Sequence, residues 1–236
     1  MISQFSSFRR AAALALTLAF FVPAPGAAQD RDRSAALVSE YPLAGDDGQR
    51  VPNHSVRLLG PIAGLPGVVT VGNPNGKTTL VEFYDLNCPY CRIASSDIAD
   101  MVELDRELKL VLVPFPVLGI ASVAASRVEL AVAKLGTPQQ FYDFHRKIYA
   151  QRGTADGARA LDVAASLGFD VKALTEVGNS EEITEIMKAH LRLGNSLGLA
   201  ATPAFVIAGV AILGYPGRYR LQAIVDAAAT CGKVVC

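Results

Sequence analysis

The chain has 236 residues, 22 basic and 22 acidic, a formal net charge of zero, and 51 % hydrophobic residues. That length carries one well-cored domain, alone or with a helical insertion. No basic patch and no run of aromatics among positive charges stands out in it, which excludes nucleic acid as the expected partner.

Met1–Ala28 has the form of a secretory signal. Arg9-Arg10 is the charged start, Ala11–Val22 the apolar core, and Gly26-Ala27-Ala28 a small-residue cleavage site before Gln29. The rival is an uncleaved anchor, but a core of about 12 residues falls short of the roughly 20 that span a bilayer. Cleavage and export are expected, and an exported chain meets an oxidising compartment. Residues 29–65 are rich in Asp, Arg, Gly and Pro and show no sustained period, which predicts a mostly extended or disordered leader.

Gly67–Val71 (GVVTV) reads as a short strand, and the turn-rich Gly72–Lys77 joins it to a second, Thr78–Tyr84. A short polar link leads into Cys88-Pro89-Tyr90-Cys91. Apolar residues then recur at Cys91, Ala94, Ile98, Met101 and Val102, so the cysteine pair opens a helix that follows a strand. Pro89 suits the first helical position, where a backbone N–H has no partner in any case. Cys88 then falls at the N-cap, where free N–H groups and the helix dipole favour a thiolate; Cys91 begins the buried stripe. One accessible, acidified thiol beside one shielded thiol makes a dithiol–disulfide switch. The spacing alone also fits half of a zinc site or an inert bridge. Glu82 interrupts the apolar strand. Buried, its carboxyl must be partly protonated or tied to a partner; at an edge it would be solvated. Asp85 is a weaker candidate for a similar charge effect and reads as a turn residue.

Leu108–Val113 (LKLVLV) reads as a parallel, largely buried strand, stopped by Pro114 and Pro116. The pattern is then helical for about 80 residues. Val123, Ala124, Val128, Ala131 and Val132 mark one helix, and Phe141, Phe144 and Ile148 a second. Ala158–Leu167 and Val171–Val177 are two shorter ones, and a longer amphipathic helix runs from Ile183 to Leu197. Ala201-Thr202-Pro203 steps directly into the apolar strand Phe205–Ala208; a turn at Gly209, the strand Ala211–Tyr215 and a closing helix through Leu221, Ile224, Val225 and Ala228 follow. Cys231 and Cys236 end the chain, spaced for a small disulfide loop that turns at Gly232, with a four-cysteine zinc site as the competitor. His190, on an apolar stripe, reads as a packed boundary residue. His54, in the leader, and His145, on a helix, show no partnered motif.

Three features resemble the DsbA-like thioredoxin-fold proteins of the bacterial envelope: VEFYDLNCPYC, Glu82 six residues before Cys88, and ATPAFVIAG far down the chain. The resemblance runs from about Gly72 to Tyr215. It implies an α/β, thioredoxin-like fold with an inserted α-helical domain, the domain covering 66–236 and the insertion about 118–199. It implies that Pro203 is cis and faces the cysteine pair, that Thr202 touches substrate, and that Glu82 lies beneath Cys91 and assists its proton transfer. Cys88 is then the attacking thiol, Cys91 resolves the mixed disulfide, and Pro89 and Tyr90 tune the thiolate and border the substrate.

The expected function is that of a periplasmic thiol–disulfide oxidoreductase, an oxidase before an isomerase or reductase, with no cofactor beyond its own redox-active disulfide. The expected partners are unfolded or misoxidised exported proteins and a membrane redox protein that recycles the pair. The rival is a thiol-based copper or zinc binding module. It calls for extra His, Met or Cys beside the pair, where Asn87, Tyr90 and Arg92 stand instead.

Overall fold

The computed structural model describes residues 39–58 and 60–236. The expected signal segment and the first part of the expected leader lie outside the described residues. Six strands, β1 (Asn53–Ser55), β2 (Val69–Gly72), β3 (Thr78–Tyr84), β4 (Leu108–Pro114), β5 (Ala204–Ile207) and β6 (Val210–Leu213), form one sheet in the order β1–β6–β5–β3–β4–β2. Of these six strands in the described residues only β3 and β4 pair in parallel, with Thr78 opposite Leu108 and Tyr84 opposite Pro114. A parallel pair needs a crossover, and helix α1 (Pro89–Leu104) supplies it.

Five helices lie between β4 and β5: α2 (Ile120–Leu135), α3 (Pro138–Ala150), α4 (Gly157–Ala165), α5 (Val171–Gly178) and α6 (Glu181–Ser196). They occupy the stretch where the insertion is expected. Their starts are written in the sequence: Asp156, Asp170 and Ser180 each accept a backbone N–H at the N-cap, and Thr137 and Gln140 form a capping box. Helix α7 (Arg218–Cys231) closes the chain.

Strand alternation divides the core. Leu80, Tyr84, Leu108, Leu110, Leu112, Phe205 and Ile212 face a large cluster with α1, α7 and the inserted helices. Val81, Phe83, Val111, Val113, Val206 and Leu213 face the other way, onto Ile62, Phe115, Leu197 and Leu199. Gly194 gives α6 its close approach to the Phe115 ring, because a Cβ there would run into it. Both faces of β3 and β4 are therefore buried, as a parallel pair requires.

The expectation of an extended or disordered leader to residue 65 is corrected from Ser39 onward. Strand β1 adds to the sheet edge, antiparallel to β6 with Asn53 opposite Ile212, and Leu43, Val51 and Ile62 are buried. Asn53, fully buried, holds this segment together: its amide donates to the carbonyls of Tyr41 and Val51 at 3.0 and 2.8 Å, and its oxygen accepts the Tyr41 N–H at 2.8 Å. A strand of three residues shows no period, and its order comes from a partner more than 150 positions away.

Candidate active site

Strand β3 ends at Tyr84, and the link Asp85-Leu86-Asn87 hands the chain to α1. Asp85 is fully buried and organises that link. One carboxylate oxygen accepts the Asn87 N–H at 2.8 Å and the Ser122 hydroxyl at 2.7 Å. The other accepts the N–H groups of Val117 and Leu118 at 2.8 and 2.9 Å. Asn87 in turn clasps both backbone groups of Ala155, and the Tyr149 hydroxyl donates to the Asp85 carbonyl at 3.0 Å. The Arg92 guanidinium ties the carbonyls of Tyr149 and Gln151. A residue that reads as a turn former thus joins the cysteine loop to the inserted helices.

Cys88 occupies the N-cap of α1 and Pro89 its first position. The Cys88 sulfur accepts the Cys91 N–H at 3.4 Å, and its thiol donates to the Thr202 carbonyl at 3.1 Å. The Thr202–Pro203 peptide is cis. Cys88 is only 4 % exposed, less open than the attacking thiol the sequence suggests, because the proline loop lies against it. Both cysteines are free thiols, so this is the reduced form.

The two thiols differ sharply in acidity. The Cys88 thiol is lowered to about 6, first by the hydrogen bond from the Cys91 thiol, then by the Thr202 side chain and the N–H groups of Cys91 and Tyr90; its partial burial opposes them. The Cys91 thiol is pushed far up, chiefly by burial, then by its hydrogen bond to Cys88 and by the nearby Glu82 and Cys88 charges.

Glu82 is 1 % exposed, so it is not a solvated edge residue. It sits on the α1 side of β3, opposite Phe205 of β5. Burial raises its carboxyl to about 8, with smaller contributions from Cys88 and Glu129. Its Oε2 has no protein partner. Two residues on and on the same face, Tyr84 donates its hydroxyl to Glu129 of α2 at 2.8 Å. His145 of α3, without a partner in the sequence, places Nδ1 3.3 Å from that same oxygen. The sequence signal for Glu129 is a glutamate among Val128, Ala131 and Val132 on an apolar helix face, and it is fully buried there. His190 is buried, with its ring nitrogens on the carbonyls of Pro114 and Pro66. His54 meets the Leu197 carbonyl at 2.8 Å.

The fold thus brings Cys88, Cys91, Glu82, Thr202 and Pro203 together, and leaves Pro89 and Tyr90 exposed at the mouth. Tyr90, Ile93, Val117, Leu118 and Ile120 are exposed apolar residues, Val117 and Leu118 held at the cysteine link by Asp85. Cys231 and Cys236 are elsewhere, joined to each other at the end of α7. Among the described residues no group of three or more His, Cys, Asp or Glu is arranged to hold a metal. A sulfur of lowered pKa, a shielded second sulfur and a nearby buried acid are the parts that thiol–disulfide exchange needs.

Comparison with known proteins agrees with this chemistry. The chain is 30 % identical over 155 residues to disulfide bond formation protein D of Bacillus subtilis (strain 168), covering 61 % of this chain and 68 % of that one. It is 26 % identical over 157 residues to a Na(+)/H(+) antiporter NhaA of Herminiimonas arsenicoxydans; the match covers 66 % of this chain but spans only 25 % of that relative's length. Among solved structures, a thioredoxin-like oxidoreductase from Silicibacter pomeroyi DSS-3 superposes with a TM-score of 0.66 at 31 % identity, covering 73 % of this chain and 99 % of that one. The DSBA-like thioredoxin domain matches residues 79–228, more than half of the chain, and the protein belongs to that family of thiol–disulfide oxidoreductases.

Proposed function

We propose that the protein is an exported, periplasmic oxidase that forms disulfides in unfolded or misoxidised envelope proteins, and that a membrane redox protein recycles it. The observation that carries this reading is the opposite acidity of two thiols three positions apart, Cys88 lowered to about 6 and Cys91 pushed up. A substrate thiolate attacks the Cys88 sulfur of the oxidised pair. The Cys88–Cys91 bond breaks, its electron pair leaves on Cys91, and Cys91 takes up a proton from Glu82. A second substrate thiolate then attacks the mixed disulfide at the substrate sulfur, and Cys88 leaves as a stable thiolate. Stabilising that leaving thiolate stabilises the reduced enzyme, which makes its disulfide oxidising. Electrons then pass from the reduced pair to the recycling partner.

Pro203 brings no N–H to the site, and Thr202 offers its backbone to an extended substrate segment whose apolar side chains the exposed Tyr90, Ile93, Val117, Leu118 and Ile120 accommodate. None of the described helices is long and apolar enough to cross a membrane. Cys91→Ser is expected to accumulate covalent adducts at Cys88 in envelope extract, because the Cys88 thiolate still attacks substrate disulfides while Cys91 is no longer there to release them, and Cys88→Ser captures nothing. Capture by Cys88→Ser alone would reverse the roles. Oxidative refolding of a reduced substrate is expected to proceed equally with and without a chelator; inhibition by the chelator would favour the copper or zinc module.

A further inference from the structure

Below the cysteines, the sheet and the inserted helices enclose two buried carboxylates. Glu82 is 1 % exposed and Glu129 0 %, and each has an Oε2 without a protein partner. Tyr84 links them: it shares a sheet face with Glu82 and donates its hydroxyl to Glu129. Glu129 Oε1 also meets His145 Nδ1, whose ring is packed edge-on to Tyr84 and Tyr149 with centroids 4.6 and 4.9 Å apart. A hydrophobic face with two acids and a histidine in it is unexplained by packing alone, since each buried polar group needs a compensating partner.

We propose that Glu129 and His145, both carried by the inserted helices, are positioning residues for Glu82: through the Tyr84 side chain they hold a second acid on the same buried face, so that Glu82 keeps its proton until Cys91 leaves. The proposal rests on Glu82 exchanging a proton with Cys91. Burial opposes ionisation of Glu82, and a second acid on the same dry face adds to that. Glu129 Oε1 accepts the Tyr84 hydroxyl and lies 3.3 Å from His145 Nδ1, whereas Glu82 Oε2 has no protein partner to hold a charge. Glu82 is then a protonated acid at neutral pH. When Cys91 leaves as a thiolate, Glu82 transfers its proton to that sulfur and becomes a carboxylate. Burial then drives reprotonation of Glu82 from water, with the second acid adding to it. Closure of a mixed disulfide by Cys91 runs the same transfer in reverse, with Glu82 as the base. The titratable groups around Glu82 are Tyr84 on its own strand, Cys88 and Cys91 from α1, Glu129 from α2, and Tyr142 and Tyr149 from α3, with His145 behind Glu129. The sheet neighbours Leu112 and Phe205 and the α7 residues Leu221, Ile224 and Val225 are apolar.

The test is the pH profile of a single closure event, the release of an aromatic thiolate from its mixed disulfide with Cys88 when Cys91 attacks. In the wild type the rate rises through the Glu82 midpoint. Glu82→Gln is expected to remove that midpoint. Glu129→Gln is expected to move it down by about half a pH unit, because a like charge is gone, and so to speed closure about two- to threefold at pH 7. A purely structural role for Glu129 lowers amplitude or stability without moving the midpoint, and an unmoved midpoint overturns the proposal. A midpoint that survives Glu82→Gln overturns the Glu82 reading itself, and the proposal with it. If Glu129→Gln does not fold, the intact reduced protein labelled with carbon-13 at its glutamate carboxyls decides. Two coupled titrations with the upper step on Glu82 support the proposal, and independent single steps contradict it.

Discussion

The chain carries two cysteine pairs, and the surroundings give them opposite chemistry. Cys88 and Cys91 are free thiols at the start of a helix, walled in by a cis-proline loop and a buried acid. Cys231 and Cys236 are bonded, exposed, and separated by a turn in which Gly232 takes a left-handed conformation with φ of 71°. The first pair has a hydrogen-bonded N-cap sulfur that tolerates negative charge, which favours its reduced form. The second lies at the other end of a helix and closes a small loop. Cysteine spacing alone does not separate a switch from a staple; the groups that hold the thiolate do.

The largest expected effect separates the pairs directly. Cys88→Ser is expected to abolish substrate oxidation, whereas Cys231→Ser with Cys236→Ser leaves the rate within about twofold of wild type, a range that reflects only small stability losses. Oxidation surviving in the first variant, or lost in the second, would invert the comparison. Next, Glu82→Gln removes a buried carboxyl raised from 4.5 to about 8. A raised pKa means that the fold is unburdened below about 4.5 and loses stability as the pH climbs from there through 8. The variant is therefore expected to be more stable at pH 7 by about 3 kcal/mol and equal to wild type at pH 4, as denaturant melts at the two pH values will show. A stability gain that persists unchanged at pH 4 would mean that the acid is not the source.

Opening the terminal loop is a smaller effect. A six-residue loop closed by a disulfide removes chain entropy worth about 2 kcal/mol, so the double C-terminal serine variant is expected to lose at most that in urea melts. Differential alkylation adds the redox side: mild reductant is expected to open Cys88–Cys91 and spare Cys231–Cys236. Equal lability would erase the distinction.

The local parts of the site were legible in the sequence. The switch from strand to helix at Cys88, the proline at the first helical position and the X-Pro step at Pro203 each rest on neighbours a few residues away. Glu82 was legible too, as a charge inside an apolar run. The parts that escaped depend on distant partners. Strand β1 owes its order to β6, and Asp85 owes its role to N–H groups of Val117 and Leu118. Glu129 and His145 sit on two different helices and acquire meaning only when α2 and α3 fold against Tyr84. Single-residue periodicity has no term for such meetings.

The central claim is that the Cys88 thiolate is stabilised enough to make its disulfide oxidising. The direct measurement is the equilibrium of the Cys88–Cys91 pair with glutathione, read beside melting curves of the reduced and oxidised forms. A thiol lowered from 9.0 to about 6 adds stability to the reduced fold that is complete above about pH 9 and lost as the pH falls through 6. The account predicts a potential above about −200 mV, more than about 3 kcal/mol from thioredoxin's −270 mV. It also predicts a reduced form that melts higher than the oxidised one at pH 7, by a margin that shrinks toward pH 5. A potential near −270 mV with the oxidised form melting higher would contradict it and make the protein a reductase.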